Sequence, residues 1–192
     1  GSPVPGQVYH GPMRLRTALA NDYLPPARSV LAQMGVESVQ GIAASFGLEL
    51  PSTLLTQDFS LSPVALAGAY GVFADNGTQA GMSISGGALQ PAEVLQVSST
   101  DHSVWADWTS AQSQSLLSPQ LAYVINQVLS DETARWPSQG HPNPLEIGRP
   151  AGVKLSPALD LSSAWTVGYT PQRVAVVWLG AGKGAARGDS DT

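Results

Sequence analysis

The side chain best suited to chemistry in this sequence is Lys154, which lies in the stretch "GVKLSPALDLSSAWTVGYTP" (152–171). An ammonium group on a strand can bind an anion, and it can equally be a solvated surface group. The chain has no cysteine, which excludes disulfides, thiolate metal sites and a cysteine nucleophile. Neither G-x-S-x-G nor H-E-x-x-H occurs, so hydrolase and zinc-protease functions lack support.

Three histidines, His10, His102 and His141, lie far apart, and none has a second ligand at helical spacing. Because metal sites need clustered ligands, we expect surface or loop histidines and predict neither a metal nor a cofactor. The glycine-lysine run around Lys183 lacks the spacing of a phosphate loop, since Gly follows the lysine. Arg187-Gly188-Asp189 spells an adhesion tripeptide, which we interpret as a chance match.

The composition indicates a packed domain. Hydrophobic residues make up 43% and charged residues 12% of the 192 residues, a balance typical of a chain with a core. The net charge is −5 and the few basic residues form no stripe, which argues against nucleic-acid binding. No window approaches about 18 consecutive apolar residues, so we expect no membrane-spanning helix.

Five helices are predicted from apolar periodicity and from capping residues. Two begin with a Ser-Pro pair, in which serine is the N-cap and proline takes the first helical position. Glycine after the last periodic residue ends two others. The predicted helices are Met13 to Asp22, Ala27 to Met34, Val36 to Phe46, Ser62-Pro63 to Asn76-Gly77, and Ser118-Pro119 to Leu129. The fourth is almost wholly apolar or small, which predicts a buried central helix.

Strands are predicted mainly after the helices, which indicates an α+β fold. Two short runs, Glu93 to Val97 and Val104 to Trp108, predict an exposed hairpin. The segment that begins at residue 136 is rich in Pro and Gly and predicts a long loop. Three antiparallel strands follow, at Gly152 to Leu155, Ala164 to Tyr169 and Arg173 to Leu179. We expect a flexible arm at 1–12, one domain at 13–180 and a disordered tail at 181–192.

Three longer blocks carry a family resemblance. "GPMRLRTALAND" (11–22) matches G-P-V-T-L-R-x-A-L-A-N-S, and "SPVALAGAYGVFADNG" (62–77) matches T/S-P-L-x-L-A-x-A-Y-x-x-F-A-N-x-G. "GRPAGVKLSPALDLSSAWTVGYTPQRVAVVWLG" (148–180) matches R-P-x-A-G-K-T-G-T-T, then D-A-W-F-V-G-Y-T-P and V-W-V-G. The chain thus resembles class A penicillin-binding proteins, in the family's own block order. The resemblance implies part of their transpeptidase fold, which is β-lactamase-like, with helices followed by a three-stranded antiparallel sheet.

The resemblance also implies a serine D,D-transpeptidase that cross-links the stem peptides of bacterial peptidoglycan and is acylated by β-lactams. Its motifs are S-x-x-K, S-x-N and K-T-G. The first supplies the nucleophile with a lysine beside it, and the second places polar groups near that lysine. The third holds the substrate carboxylate, and a backbone N–H just beyond it contributes to the oxyanion hole. No Ser-x-x-Lys occurs in this chain, so we assign no catalytic residue.

The other two motifs are altered. S-x-N falls on Asp22-Tyr23-Leu24, where Leu24 forms no side-chain hydrogen bond and Asp22 does not replace a neutral hydroxyl that relays protons. K-T-G-T falls on Lys154-Leu155-Ser156-Pro157. Leu155 removes a hydroxyl, and Ser156 replaces a glycine that lets the substrate lie close to the strand.

Pro157 stands where the family uses a backbone N–H in the oxyanion hole, and proline has none. Losing one such donor typically costs about a hundredfold or more in rate. With its hydroxyl partners gone, Lys154 is predicted to be a solvated strand lysine, and a retained anion-binding role remains the alternative.

The sequence therefore predicts a non-catalytic, transpeptidase-like module on the extracytoplasmic face of the bacterial cell envelope. Its expected partners are a peptidoglycan stem peptide, bound without turnover, or another envelope protein. An exposed sheet edge would also permit strand pairing with another chain. The alternative is part of an active D,D-transpeptidase whose nucleophile lies on a segment outside this chain.

Overall fold

The structure is a computed structural model that describes residues 11–53, 61–83, 89–92, 94–107, 109–157 and 163–180. Its helices are α1 (Leu15–Ala20), α2 (Leu24–Met34), α3 (Val36–Ser45), α4 (Pro63–Ala74), α5 (Pro119–Leu129) and α6 (Glu132–Gln139). Its strands are β1 (Thr78–Gly81), β2 (Gln96–Ser98), β3 (Val104–Asp107), β4 (Gln112–Ser115), β5 (Gly152–Pro157), β6 (Ser163–Thr170) and β7 (Arg173–Gly180). Most of the predicted arm and all of the predicted tail lie outside the described residues.

Two helices begin as the Ser-Pro pairs predict. Ser62 and Ser118 are the N-caps of α4 and α5. The Ser118 hydroxyl accepts the N–H of Leu121 at 3.3 Å. The proline that follows each cap costs no hydrogen bond, because first-turn N–H groups have no partner within a helix.

Two helix predictions were wrong. Helix α2 begins at Leu24 rather than Ala27 and takes two prolines into its first turn, where their missing N–H groups would be unpaired in any case. Helix α6 runs through the start of the predicted loop and contains Pro137. Its N-cap, Asp131, accepts the N–H of Ala134 at 3.1 Å. The Pro and Gly content of this stretch predicted a loop, but the Asp131 cap before it starts a helix that runs into it.

The α+β fold class is confirmed. Strands β5, β6 and β7 form the predicted antiparallel sheet in that order, and β2 pairs with β3 in the predicted hairpin. A further antiparallel pair, β1 with β4, was not predicted. Its sequences, "TQAG" and "QSQS", have no run of alternating apolar residues, so the usual strand signal is absent.

The core lies between the sheet and helices α4 and α5. Tyr169 of β6 is buried, and its ring centroid lies 5.9 Å from that of Tyr70 of α4. Its hydroxyl donates to Oδ1 of Asn126 at 2.7 Å, and Nδ2 of Asn126 donates to the carbonyl of Phe73 at 2.8 Å. A side chain at Gly152 would overlap the Tyr169 ring, so this position of β5 requires glycine.

Helix α4 is only partly buried, contrary to the prediction. Its buried residues are Ala69 and Val72, whereas Val64 is exposed. One side of α4 instead lines an open, mostly apolar groove of about 490 Å³. Among the described helices, none has the length and apolar character needed to cross a membrane.

Asn21 joins α1 to α6. Its side-chain amide donates to the carbonyls of Thr17 at 2.9 Å and Ala134 at 2.7 Å, and its Oδ1 accepts the N–H of Ser138 at 3.0 Å. The residue is 4% exposed, so water does not compete for these bonds. This connection holds the turn after α1, in which Asp22 lies.

Replacing Asn21 by alanine is expected to lower the free energy of unfolding by roughly 1–3 kcal/mol, because the partly buried N–H of Ser138 and carbonyl of Ala134 lose their partner. Urea denaturation followed by circular dichroism measures the change. Gln33→Ala is the control: Gln33 is exposed, and its change should stay within about 0.5 kcal/mol. Equal stability of the two variants would contradict the assigned role of Asn21.

Candidate functional site

The two altered motif positions meet at one place in the fold. Asp22 lies in the turn between α1 and α2 with φ of +57°, in the left-handed region that aspartate enters more readily than most residues. Lys154 lies in β5 opposite Val167 of β6, which is buried. Residues that the family patterns assign to two separate motifs are therefore neighbours in space.

Two oxygen atoms hold Lys154. Its Nζ forms an ion pair with the carboxylate of Asp22 and donates to the carbonyl of Leu19 at 2.7 Å. The side chains of Lys154 and Asp22 are only 22% and 20% exposed. The prediction of a solvated strand lysine was therefore wrong. The cause is tertiary: the carbonyl end of α1, which attracts cations, faces this strand.

Burial raises the pKa of Asp22 above its ordinary value. The Lys154 ammonium, the N–H of Leu155 and the charge of Arg135 act in the opposite direction and offset only part of the lost hydration. Burial, with a smaller contribution from the charge of Asp22, raises the pKa of Tyr70 to about 12. The Tyr70 phenol therefore stays protonated at neutral pH, within reach of the charge of Asp22.

The remaining altered positions adjoin this ion pair. Leu24 begins α2 and is partly buried, as is Leu155 in β5. Ser156 is exposed, and Pro157 lies opposite Ala164 of β6. Within the described residues, β5 pairs only with β6, so no strand covers its other edge, although Asp22 accepts the backbone N–H of Leu155. Along that edge Pro157 supplies no N–H, and the ammonium of Lys154 is already engaged.

Sequence reasoning missed Arg135. It is 3% exposed, and its Nη1 donates to the carbonyl of Leu129 at 2.6 Å. Its Nε has no hydrogen-bond partner among the described residues. The sequence signal is weak, because one arginine in "SDETARWP" is typical of an exposed helix. Its buried charge nevertheless offsets a small part of the rise that burial causes in the pKa of Asp22.

His141 contacts Glu146, with 3.0 Å between Nδ1 and Oε2. Glu146 also accepts the indole N–H of Trp136 at 2.9 Å. His102 is exposed in the turn of the β2–β3 hairpin, and His10 lies outside the described residues. No group of three metal-ligating side chains is found within the part of the chain that the structure describes.

Comparison with known proteins points to one family in sequence, although no family model matches the chain. The chain is 27% identical over 198 residues to penicillin-binding protein 1A/1B of Bacillus subtilis. It is 26% identical to penicillin-binding protein 1A of Vibrio cholerae over 201 residues and to that of Clostridium acetobutylicum over 181. These alignments cover 90–93% of this chain but only 20–24% of the relatives. The chain thus spans about a fifth to a quarter of the curated relatives' length.

A solved structure shows the same fold. The penicillin-binding protein PonA1 from Mycobacterium tuberculosis matches with a TM-score of 0.51 at 23% identity, over 73% of this chain and 35% of that chain. The fold is that of a penicillin-binding protein. The resemblance that the three sequence blocks indicated is confirmed: the chain is similar in sequence to penicillin-binding proteins 1A and 1B and shares the fold of the PonA1 structure.

Lys154→Met is expected to lower the free energy of unfolding at neutral pH by roughly 1–3 kcal/mol, because the largely buried Asp22 carboxylate loses its counter-ion. Adding Asp22→Asn should recover part of that loss, with a coupling energy of about 1 kcal/mol. Urea denaturation of the wild type, both single variants and the double variant gives the coupling energy. Arg173→Met, at an exposed cation, is the control. Additive effects at positions 22 and 154 would contradict the ion pair.

The stability of the wild type relative to Asp22→Asn is expected to increase as the pH falls from about 7 to about 4. A raised native pKa means that the folded state binds the Asp22 proton more tightly than the unfolded state does. This stabilisation is fully present below the unfolded pKa and is lost as pH rises through the native pKa. Urea denaturation of both proteins across this range measures it. If the stability of the wild type relative to Asp22→Asn decreased as the pH fell, the effect of Lys154 on the pKa of Asp22 would outweigh the effect of burial.

Proposed function

We propose that the chain is a non-catalytic, penicillin-binding-protein-like domain of bacterial peptidoglycan synthesis. It acts as a structural or interaction module on the extracytoplasmic face of the cell envelope. The similarity to penicillin-binding proteins 1A and 1B over about nine-tenths of the chain supports the setting. The geometry of the site supports the loss of catalytic activity.

The contact between Lys154 and Asp22 carries the proposal. To hold a substrate carboxylate, the ammonium must offer an unneutralised charge and free N–H groups. Here Asp22 neutralises the charge, and the carbonyl of Leu19 takes a further N–H. A substrate would have to displace an internal carboxylate that is already seated beside Lys154.

The neighbouring differences from the family pattern also argue against catalysis. Leu24 and Leu155 are apolar where the family pattern has hydrogen-bonding groups, and Pro157 has no N–H to stabilise an oxyanion. These losses are chemically independent, and the packing residues around them keep the family pattern. A scaffold retained without its reaction explains both facts.

One observation favours a second candidate, in which the chain is part of an active D,D-transpeptidase. Lys154 contacts the residue at position 22, where the family has the serine of S-x-N, and the Lys154 side chain is largely buried. In this candidate the nucleophile lies on a segment outside the chain, and Asp22 replaces the serine of S-x-N as partner of the lysine.

Two kinds of partner are compatible with the proposed module. A stem peptide can lie along the edge of β5 that no described strand covers and bind without turnover. Another envelope protein can add a strand to the three-stranded sheet, at whose β7 edge Val177, Trp178 and Leu179 are exposed.

A fluorescent penicillin is expected to form no covalent adduct with this chain or with the full-length protein that carries it. Penicillin-binding protein 1A/1B of Bacillus subtilis, treated in parallel, is the positive control, and denaturing electrophoresis is the readout. An adduct that unlabelled penicillin blocks and that Lys154→Met abolishes would overturn the proposal and establish the second candidate.

A further inference from the structure

The β2–β3 hairpin exposes a group of large apolar side chains. We call residues 94–107 the hairpin arm. Its exposed apolar residues are Val94 (53%), Leu95 (61%), Val97 (38%), Val104 (52%) and Trp105 (73%). Isolated exposed apolar residues are ordinary, but five on one short hairpin indicate a binding element.

The arm does not belong to the core of the domain. Strands β2 and β3 contact each other, and neither packs closely on another helix or strand that the structure describes. A two-stranded hairpin alone is at best marginally stable in water. Among the residues that the structure describes, the apolar side chains of the arm therefore contribute little to internal packing and remain available to a partner.

Local hydrogen bonds nevertheless shape the arm. At the turn, Asp101 accepts the N–H of Ser103 at 3.0 Å and its hydroxyl at 2.7 Å. At the end of β3, Asp107 accepts the N–H of Thr109 at 2.8 Å and its hydroxyl at 2.5 Å. A surface that is ordered before binding loses less conformational entropy when it binds.

The arm lies in a segment that has only negative charges. Between Arg28 and Arg135 the sequence contains no lysine or arginine, but it contains nine aspartates and glutamates. Hydrogen bonds from Ser103 and Thr109 hold the pKa values of Asp101 and Asp107 below their ordinary value. Both carboxylates are therefore charged at neutral and mildly acidic pH, next to the apolar group.

The negative charge of the hairpin arm limits the kinds of surface that can bind it. An anionic lipid surface or a nucleic acid would be repelled. Two copies that met through their arms would bring like charges together. A cationic protein surface with an apolar cleft fits both the charge and the apolar side chains.

We propose that the hairpin arm docks into an apolar cleft, bordered by lysine or arginine side chains, on a partner protein. Trp105, the most exposed large side chain of the arm, is the anchor, because buried tryptophans dominate many interfaces. The carboxylates of Asp101 and Asp107 pair with the cationic border. This proposal does not depend on whether the Lys154 site is active.

The test uses the full-length protein and two labelled synthetic peptides, an amphipathic Leu/Phe/Lys peptide and the same peptide with every lysine replaced by glutamate. Fluorescence polarisation should detect binding of the lysine peptide only. Trp105→Ser and Leu95→Ser should each weaken it about tenfold. Asp101→Asn with Asp107→Asn should weaken it about threefold and reduce its salt dependence. Ile147→Ser, at an apolar residue 58% exposed and outside the acidic segment, should leave it unchanged.

Several results would overturn the proposal. One is equal binding of both peptides, and another is binding unchanged in Leu95→Ser and Trp105→Ser proteins whose circular dichroism is that of the wild type. Light scattering that showed a dimer lost in Trp105→Ser would assign the arm to self-association. Trp105-dependent flotation with phosphatidylcholine vesicles, without binding of the lysine peptide, would assign it to a membrane.

Discussion

The ion pair between Lys154 and Asp22 is the interaction on which the organisation of the site depends. It joins the turn after the first helix to the edge strand of the sheet, two parts of the chain far apart in sequence. Burial opposes the charge on Asp22, and the ammonium compensates only in part. The pair thus fixes a particular arrangement of helix and strand, and it occupies the ammonium that the family pattern assigns to the substrate carboxylate.

The surrounding framework is built to keep this arrangement. Asn21 fastens the first helix to α6, and Asn126 connects the buried hydroxyl of Tyr169 to α4. Glycine at position 152 lets the Tyr169 ring lie against β5. Asn21, Gly152 and Tyr169 fall in the blocks that resemble penicillin-binding proteins. Packing residues match the family pattern where several hydrogen-bonding groups differ from it, and packing stabilises the fold whether or not a reaction takes place.

Local signals predicted much of this fold. The Ser-Pro caps located the starts of α4 and α5, since a cap needs only a few adjacent residues. Alternating apolar residues located the hairpin and the main sheet. Helix α6 was not predicted because Pro137 is typical of a loop, and the β1–β4 pair was not predicted because its strands lack alternating apolar residues. For the site, the sequence identified both altered motifs but mistook Lys154 for a solvated residue.

The sequence by itself determined the fold class, the family resemblance and the absence of particular groups, such as the side-chain amide at position 24, the hydroxyl at position 155 and the N–H at 157. These are properties of residue types in order, and they hold whatever surrounds them. Only the tertiary structure decided that Lys154 is neutralised by Asp22, that Arg135 is buried, and that the arm around Trp105 is uncovered. Burial and charge pairing depend on which distant residues fold together, and that information lies in the packing.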